Sequence, residues 1–280
     1  VQLEPVFGDI AASLARVDAL LASASSGSLD IVVLPEMALT GYTFAGRDQV
    51  LALSELCGRG RTHAWAAGWA TRLRAHVVVG YAERESDAPT ARLFNSQMMV
   101  ATDGTVCLHH RKKHLFATDQ TWASEGDCWT HGVLSIPSAP LSRVRVSLGV
   151  CMDINPWRFQ APWADYELAQ ATLAHRSSML LFSSAWCDRS PDDPEDYCPP
   201  PVDAAAMLQY WAARLQPLAE QPRTTHFVCC DRVGQEGSTT FCGCSCVMAL
   251  GGGTAALRGA LGVHGEGLLI RDIDADSDYD

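Results

Sequence analysis

The sequence predicts an α/β fold with a mixed sheet, on three observations. Stretches with the three-to-four-residue apolar spacing of helices alternate with short β-branched runs along the whole chain. One Asp-Gly pair, Asp103-Gly104, sits between two strand-like runs, so at least one strand pair is antiparallel. No repeat period and no linker interrupts the alternation. The 280 residues, 48% of them hydrophobic, are therefore expected to fold as a single domain over 1–280.

Leu14, Val17, Leu20 and Leu21 recur behind Ser13 with amphipathic-helix spacing, and Asp30-Ile31-Val32-Val33-Leu34 reads as a buried strand. Residues 62–76 predict a second helix and 77–81 a second strand. Residues 95–100 and 105–108 flank the Asp103-Gly104 turn as a hairpin. An alternating strand over 144–150 ends at Cys151, followed by a helix around 166–175 and an apolar strand over 179–182. Prolines and carboxylates between 190 and 202 exclude regular structure, so an exposed insertion is expected to lead into a helix over 203–215. Residues 227–230 and 239–250 read as strands and Gly251-Gly252-Gly253 as a turn, and Leu268-Leu269-Ile270 precedes an acidic tail.

Asp plus Glu number 32 against 21 Lys plus Arg, a formal net charge of −11, so nothing would neutralise a polyanion. Nucleic acid and anionic membrane are not expected partners. No apolar run approaches the roughly 18 residues of a membrane span. The opening Val1-Gln2-Leu3-Glu4 lacks the basic start and apolar core of a secretory signal, which points to a soluble, intracellular protein. Eleven cysteines, an odd count in a chain too large to need disulfide staples, read as reduced thiols of a cytoplasmic or nuclear compartment. The group Cys229, Cys230, Cys242, Cys244 and Cys246 contains no CxxC pair and fits small core residues on adjacent strands. His110 and His114 enclose no HExxH glutamate, and the glycine run lacks the Gly-Lys-Ser/Thr ending of a phosphate loop. These spacings give no reason to expect a metal site or a phosphate loop.

Three polar residues each closely follow a predicted strand: Glu36 after IVVLP, Lys112 after VCLHHR, and Cys151 after VRVSLGV. Singly, they could be a turn or cap residue, a solvated lysine and a small core thiol. Together they sit where loops from distant parts of an α/β chain converge. A thiol with a pKa near ~8.5 is only partly ionised at neutral pH, so covalent catalysis needs a base or a cation beside it. Glu36 would take the thiol proton and return it to a leaving amine. Lys112, with the backbone N–H after Cys151, would stabilise the oxyanion. Such a set suits hydrolysis of an amide or nitrile.

These residues resemble the nitrilase superfamily of carbon–nitrogen hydrolases. LPEMALTGY (34–42) is similar to its glutamate motif, RKKHLF (111–116) to its lysine motif, with the match on Lys112, and GVCMD (149–153) to its cysteine motif, in the family's order. DRVGQEGSTTFCGCS (231–245) and GEGLLIRDID (265–274) resemble its later segments, the latter its last strand, although Asp231 stands where most relatives have Asn. The resemblance implies an αββα sandwich, no metal or organic cofactor, and a second, substrate-positioning glutamate at Glu125. CMDINP (151–156), followed by Ala161-Pro162 and Tyr166-Glu167-Leu168-Ala169, resembles the fungal-type protein N-terminal asparagine/glutamine amidohydrolases. That implies deamidation of Asn or Gln at the first position of a protein, with protein or peptide N-termini as substrates. Small-molecule amidases of the ω-amidase or carbamoyl-amine hydrolase type, and a catalytically silent binding protein, are the alternatives. Met152, Asp153 and Trp186 are the expected substrate-binding residues. A carboxylate must read the α-ammonium, either Asp153 or the insertion's Asp192, Asp193, Glu195 and Asp196. Self-association into a homo-oligomer is compatible with the sequence.

Overall fold

The computed structural model describes residues 1–136, 138–189, 193–194 and 198–274. One sheet runs β1 (Ile31–Val33), β2 (His76–Arg84), β3 (Leu93–Val100), β4 (Val106–Arg111) in spatial order. β1 and β2 are parallel, and the remaining pairs are antiparallel. The second sheet contains β5 (His131–Ile136), β6 (Ala139–Val150), β7 (Met179–Ser184), β8 (Thr225–Asp231), β11 (Cys246–Gly251) and β12 (Thr254–Ala260), ordered 12-11-8-7-6-5. Its centre, β6-β7-β8, is parallel, and its flanks are antiparallel. β9 (Gln235–Glu236) and β10 (Thr239–Thr240) form a small ribbon.

Strand alternation explains how these sheets become layers. Val77 and Val79 face outward, where Val17 and Leu21 of α1 (Ile10–Leu21) and Trp69 and Leu73 of α3 (Arg61–Leu73) cover them. Val78, one residue out of phase, faces inward with Val33 and Met99 to meet Val146, Leu148 and Leu181 of the second sheet. On the far side, Leu180, Phe182 and Phe227 pack against Leu168 of α5 (Glu167–Ala174) and Trp211 of α6 (Ala204–Arg214). The order is helix, sheet, sheet, helix, with three apolar layers removed from water. Short helices α2 (Arg47–Leu53), α4 (Ala117–Gln120) and α7 (Gln216–Ala219) occupy connections. α6 begins where the sequence supplies a cap: the Asp203 carboxylate accepts from the backbone N–H of Ala205 and Ala206.

Three readings of the sequence are corrected. The strand predicted over 239–250 is broken, because Gly243 and Cys244 both take left-handed backbone (φ 59° and 61°) and pairing resumes only at Cys246. The glycine turn opens a hairpin whose second strand, β12, went unread: it is a largely exposed edge and carries little apolar alternation. Residues 268–270 form no strand. Their neighbour Gly267 exchanges two backbone hydrogen bonds with Gln2, at 2.9 and 3.0 Å, and that tie holds the segment. The five clustered cysteines are all buried in the core of the second sheet, and Cys246 pairs in register with Cys229.

Candidate active site

Glu36, Lys112 and Cys151 meet at one edge of the sandwich, each delivered by a strand's carboxyl end. Glu36 follows β1, and its backbone N–H donates to the Ser184 carbonyl at the end of β7 (3.3 Å), so the two sheets are tied together there. Gly80 of β2 makes room for this turn: a Cβ there would stand 2.6 Å from the Pro35 carbonyl oxygen and 2.7 Å from Glu36 Cα. Lys112 ends β4, its N–H donating to the Asn95 carbonyl at 2.8 Å. Cys151 ends β6 and starts a 3₁₀ turn, Cys151–Ile154. The backbone is left-handed at Cys151 (φ 42°) and at Met37 beside Glu36 (φ 47°), a strained conformation for residues with a Cβ.

The side chains form one buried network. Lys112 Nζ donates to Glu36 Oε1 at 2.7 Å and to Asp119 Oδ2 at 2.6 Å, and all three side chains are fully buried. Asn95 Nδ2 bridges the same two carboxylates, at 2.5 Å to Glu36 and 3.1 Å to Asp119. The Ala185 N–H donates to Glu36 Oε2 at 2.8 Å. Burial pushes the Glu36 carboxyl above its ordinary value, the Lys112 charge draws it back, and Asp119 pushes it up again. Burial alone would discharge Lys112, but Asp119 and Glu36 together override it and hold the ammonium charged. The Cys151 thiol is pushed well up, first by burial and then by Glu36, with Lys112 opposing only in part. The surroundings of Cys151 thus favour the thiol over the thiolate.

Two expected residues lie elsewhere. Glu125 does not reach Lys112. It is half-exposed and accepts from Trp157 Nε1 (3.1 Å) and Arg158 Nη2 (3.4 Å). The carboxylate on the lysine is Asp119, seven residues beyond it, which α4 turns inward and which also accepts the Phe116 N–H at 3.1 Å. Asp153 does not line the cavity. It is fully buried and spends its oxygens on His110 Nε2 (2.9 Å) and on the backbone N–H groups of Lys113, His114 and Val150 (2.9, 2.8 and 2.9 Å). Four donors leave this carboxylate nothing for a ligand, and its role is to lock the lysine loop to the cysteine turn. Sequence reading missed Asp119 and Asn95. The available signal was the polar run Asn95-Ser96-Gln97 inside a strand that is buried throughout.

A cavity of about 350 Å³ opens over Cys151. Met152, Phe116, Ala185 and Trp186 line it, as do Asp188 and Asp193, with Phe159 on its rim. Of the expected substrate-binding residues, Met152 and Trp186 line this cavity. Asp192, Glu195 and Asp196 lie outside the described residues. A second cavity, of about 380 Å³, lies at another edge between Ile31, Val144, Met179 and residues 268–273, and contains none of the buried polar network.

Comparison with known proteins agrees with this architecture. The chain is 27% identical to the protein N-terminal amidase of Schizosaccharomyces pombe over 289 aligned positions, covering 98% of each chain. It is 26% identical to the protein N-terminal amidase of Saccharomyces cerevisiae over 204 positions, which cover 66% of this chain and 44% of that relative. A crystal structure of N-terminal amidase superposes with a TM-score of 0.86 at 18% identity, covering 98% of this chain and 96% of that one. A crystal structure of N-terminal amidase with an Asn-Glu-Ala peptide gives 0.84 at 19% identity over the same shares. At these identities the structural likeness carries the fold, and the expected αββα arrangement is the one observed. The carbon–nitrogen hydrolase family model matches residues 1–278. With Glu36, Lys112 and Cys151 brought to one edge of such a sandwich, the chain belongs to the carbon–nitrogen hydrolase family.

Proposed function

We propose that this hydrolase deamidates Asn or Gln at the first position of peptides and proteins, giving Asp or Glu and ammonia. The observation that carries the reading is Cys151 at the base of a cavity open at its mouth, beside Glu36 and Lys112, in a chain similar over 98% of its length to a protein N-terminal amidase. Cys151 Sγ attacks the side-chain carboxamide carbon as Glu36 takes the thiol proton. The oxyanion faces Lys112 and the Met152 N–H at the start of the 3₁₀ turn, where backbone donors have no intrahelical partner. Collapse breaks the C–N bond, and Glu36 returns its proton to the departing nitrogen, releasing ammonia and leaving a thioester. Glu36 then deprotonates a water that attacks the thioester carbon, and the thiol is regenerated.

Asp188 and Asp193 are the described carboxylates lining the cavity, and they are the groups suited to the substrate's α-ammonium. No described helix is long and apolar enough to cross a membrane. That fact and eleven cysteines free of disulfides favour a cytoplasmic or nuclear enzyme that creates acidic N-termini for an N-degron pathway. A small-molecule amidase would enclose its substrate, and a rim residue as exposed as Phe159 argues for a ligand that continues outward.

The test is ammonia release from short peptides beginning with Asn or Gln, beside N-acetylated copies, internal-Gln peptides and free glutamine. Only the free-N-terminal peptides are expected to react. Cys151→Ala, Lys112→Ala and Glu36→Gln should each lower turnover by several orders of magnitude with the fold retained, because the three groups act as a unit. Preference for free glutamine would move the enzyme to the metabolic amidases, and turnover by Cys151→Ala would remove the thioester mechanism.

A further inference from the structure

A second cluster of nucleophilic and titratable side chains stands on the opposite face of the first sheet from Cys151. Adjacent residues of β3 and at the end of β4 divide between the two faces. Asn95 and Lys112 turn inward to Glu36 and Asp119, whereas their neighbours Ser96 and Arg111 turn outward to Glu83 of β2. Tyr81 and Glu83 share the outward parity of Val77 and Val79, and the register that sets Val79 beside Met98 and Met98 beside His109 brings His109 to the same face. His109 Nε2 lies 2.8 Å from Glu83 Oε2 and 3.3 Å from Tyr81 Oη. Glu83 is buried and also accepts from Ser96 Oγ at 2.6 Å and from Arg111, so the carboxylate under the imidazole is fixed.

The thiol of the cluster arrives from the segment after α2. Glu55 extends the first sheet by a parallel bridge to Glu83, its N–H donating to the Ala82 carbonyl at 3.0 Å and its carbonyl accepting from the Arg84 N–H at 2.9 Å. Three residues on, Gly58 (φ 68°) stands over β4, where a Cβ on it would meet Val106 Cγ2 at 3.6 Å. To pass from the edge of β2 to β4 the chain must cross the outward face, and Cys57 lies in that crossing, half-buried, within electrostatic reach of His109, Tyr81 and Glu83. Burial pushes the Cys57 thiol up, and His109 overrides that and brings it below its ordinary value. Burial would also discharge His109, but Cys57 and Glu83 raise it to about 9. A thiol beside a charged imidazole on a fixed carboxylate is the grouping that makes a cysteine nucleophilic. His109 keeps 26% of its side chain exposed, so a small reagent and solvent protons reach the pair.

We propose that Cys57, paired with His109 and Glu83, is a second reactive thiol, a site at which a hydroperoxide oxidises the protein to a sulfenic acid. The Cys57 thiolate attacks the terminal oxygen of the hydroperoxide, forming an S–O bond as the O–O bond breaks. The sulfur is oxidised by two electrons and the peroxide reduced by two. The departing alkoxide, or hydroxide from hydrogen peroxide, takes the His109 proton and leaves as an alcohol or water, and solvent returns the proton to His109.

The experiment follows the Cys57, Cys107 and Cys128 peptides by mass spectrometry, first during iodoacetamide alkylation at pH 6.5 and then during dimedone trapping after one equivalent of hydrogen peroxide. Cys107 and Cys128 are exposed, so accessibility alone would make them the faster pair. Cys57 should instead react at least about threefold faster than either, the scale of a larger thiolate fraction offset by its lower intrinsic nucleophilicity, and should carry the dimedone adduct. His109→Gln should remove that advantage and move the pH profile of Cys57 alkylation upward, with the Cys107 and Cys128 rates unchanged. Cys57→Ser should abolish the adduct on that peptide while ammonia release at Cys151 is retained. Alkylation of Cys57 no faster than of the exposed thiols, or a rate indifferent to His109→Gln, would overturn the reactive pair, and fast alkylation without a dimedone adduct would overturn the peroxide step. If His109→Gln folds poorly, the wild-type pH profile decides, since an unassisted half-buried thiol would titrate no lower than Cys107.

Discussion

Lys112 is a fully buried cation, and its position is set by what it is bonded to. Two carboxylates hold it from different elements, Glu36 after β1 and Asp119 on α4. If one is neutralised, the ammonium keeps a single anchor and swings from the place where an oxyanion forms. Asp119→Asn should therefore lower kcat about a hundredfold, the scale of losing an oriented oxyanion donor, whereas Glu125→Gln, which leaves the lysine's partners intact, should change kcat little. Steady-state kinetics of the two variants separates the roles, and a larger kcat loss from Glu125→Gln would return the positioning role to that residue. The contrast also shows what sequence can carry at this scale. Glu36, Lys112 and Cys151 were legible because each follows a strand that the pattern reveals. Asp119 and Asn95 were not, because a buried ammonium chooses its partners by three-dimensional approach. Asp153, two residues from the nucleophile, faces away into four donors for the same reason.

Among the elements, the parallel strands and the amphipathic helices that cover them were readable within a few residues, because burial on both faces or on one stripe leaves an apolar period. β12 and the 268–273 segment were not, since an exposed edge and a crossing strap owe their places to partners far away in sequence. One such long-range contact makes a prediction. The edge strand β5 is pinned to α5 by a stacked pair, His131 and His175, with ring centroids 4.7 Å apart. Burial and then the His175 charge hold His131 down to about 4, while Ser147 Oγ, at 2.9 Å from its Nδ1, completes its surroundings. The unfolded chain takes up a proton near ~6.5, well before the folded one does. The stability contributed by neutral His131 is thus full above that value and lost as the pH falls towards about 4. Glu83, held down to about 2, keeps its contribution above its ordinary carboxylate value and loses it only below. Melting temperature should accordingly drop between pH 6.5 and 4.5, and His131→Gln should flatten that slope while leaving the fall at lower pH. An unchanged slope in the variant would place the acid sensitivity elsewhere.

Across the whole molecule, the chemistry straddles two sheets. Glu36, Lys112 and Asn95 belong to the first and its loops, and Cys151 and Ala185 to the second. Their mutual placement depends on the apolar layer between the sheets as much as on the loops. Leu181 of β7 lies in that layer, three residues before Ser184, whose carbonyl receives the Glu36 N–H. Leu73 of α3 is equally buried, but in the outer layer between helix and sheet. Truncating either to alanine removes the same atoms and should destabilise the protein similarly, by about 2–5 kcal/mol in urea unfolding. Their catalytic effects should differ. Leu181→Ala lets the sheets shift against each other, and misplacement on the order of 1 Å at a nucleophile costs up to about a hundredfold. A kcat loss of at least about tenfold is therefore expected for Leu181→Ala at temperatures where both variants are folded, with little change for Leu73→Ala. Equal kcat values in the two variants would mean that the Glu36–Ser184 and Glu36–Ala185 hydrogen bonds alone hold the two halves of the site in register.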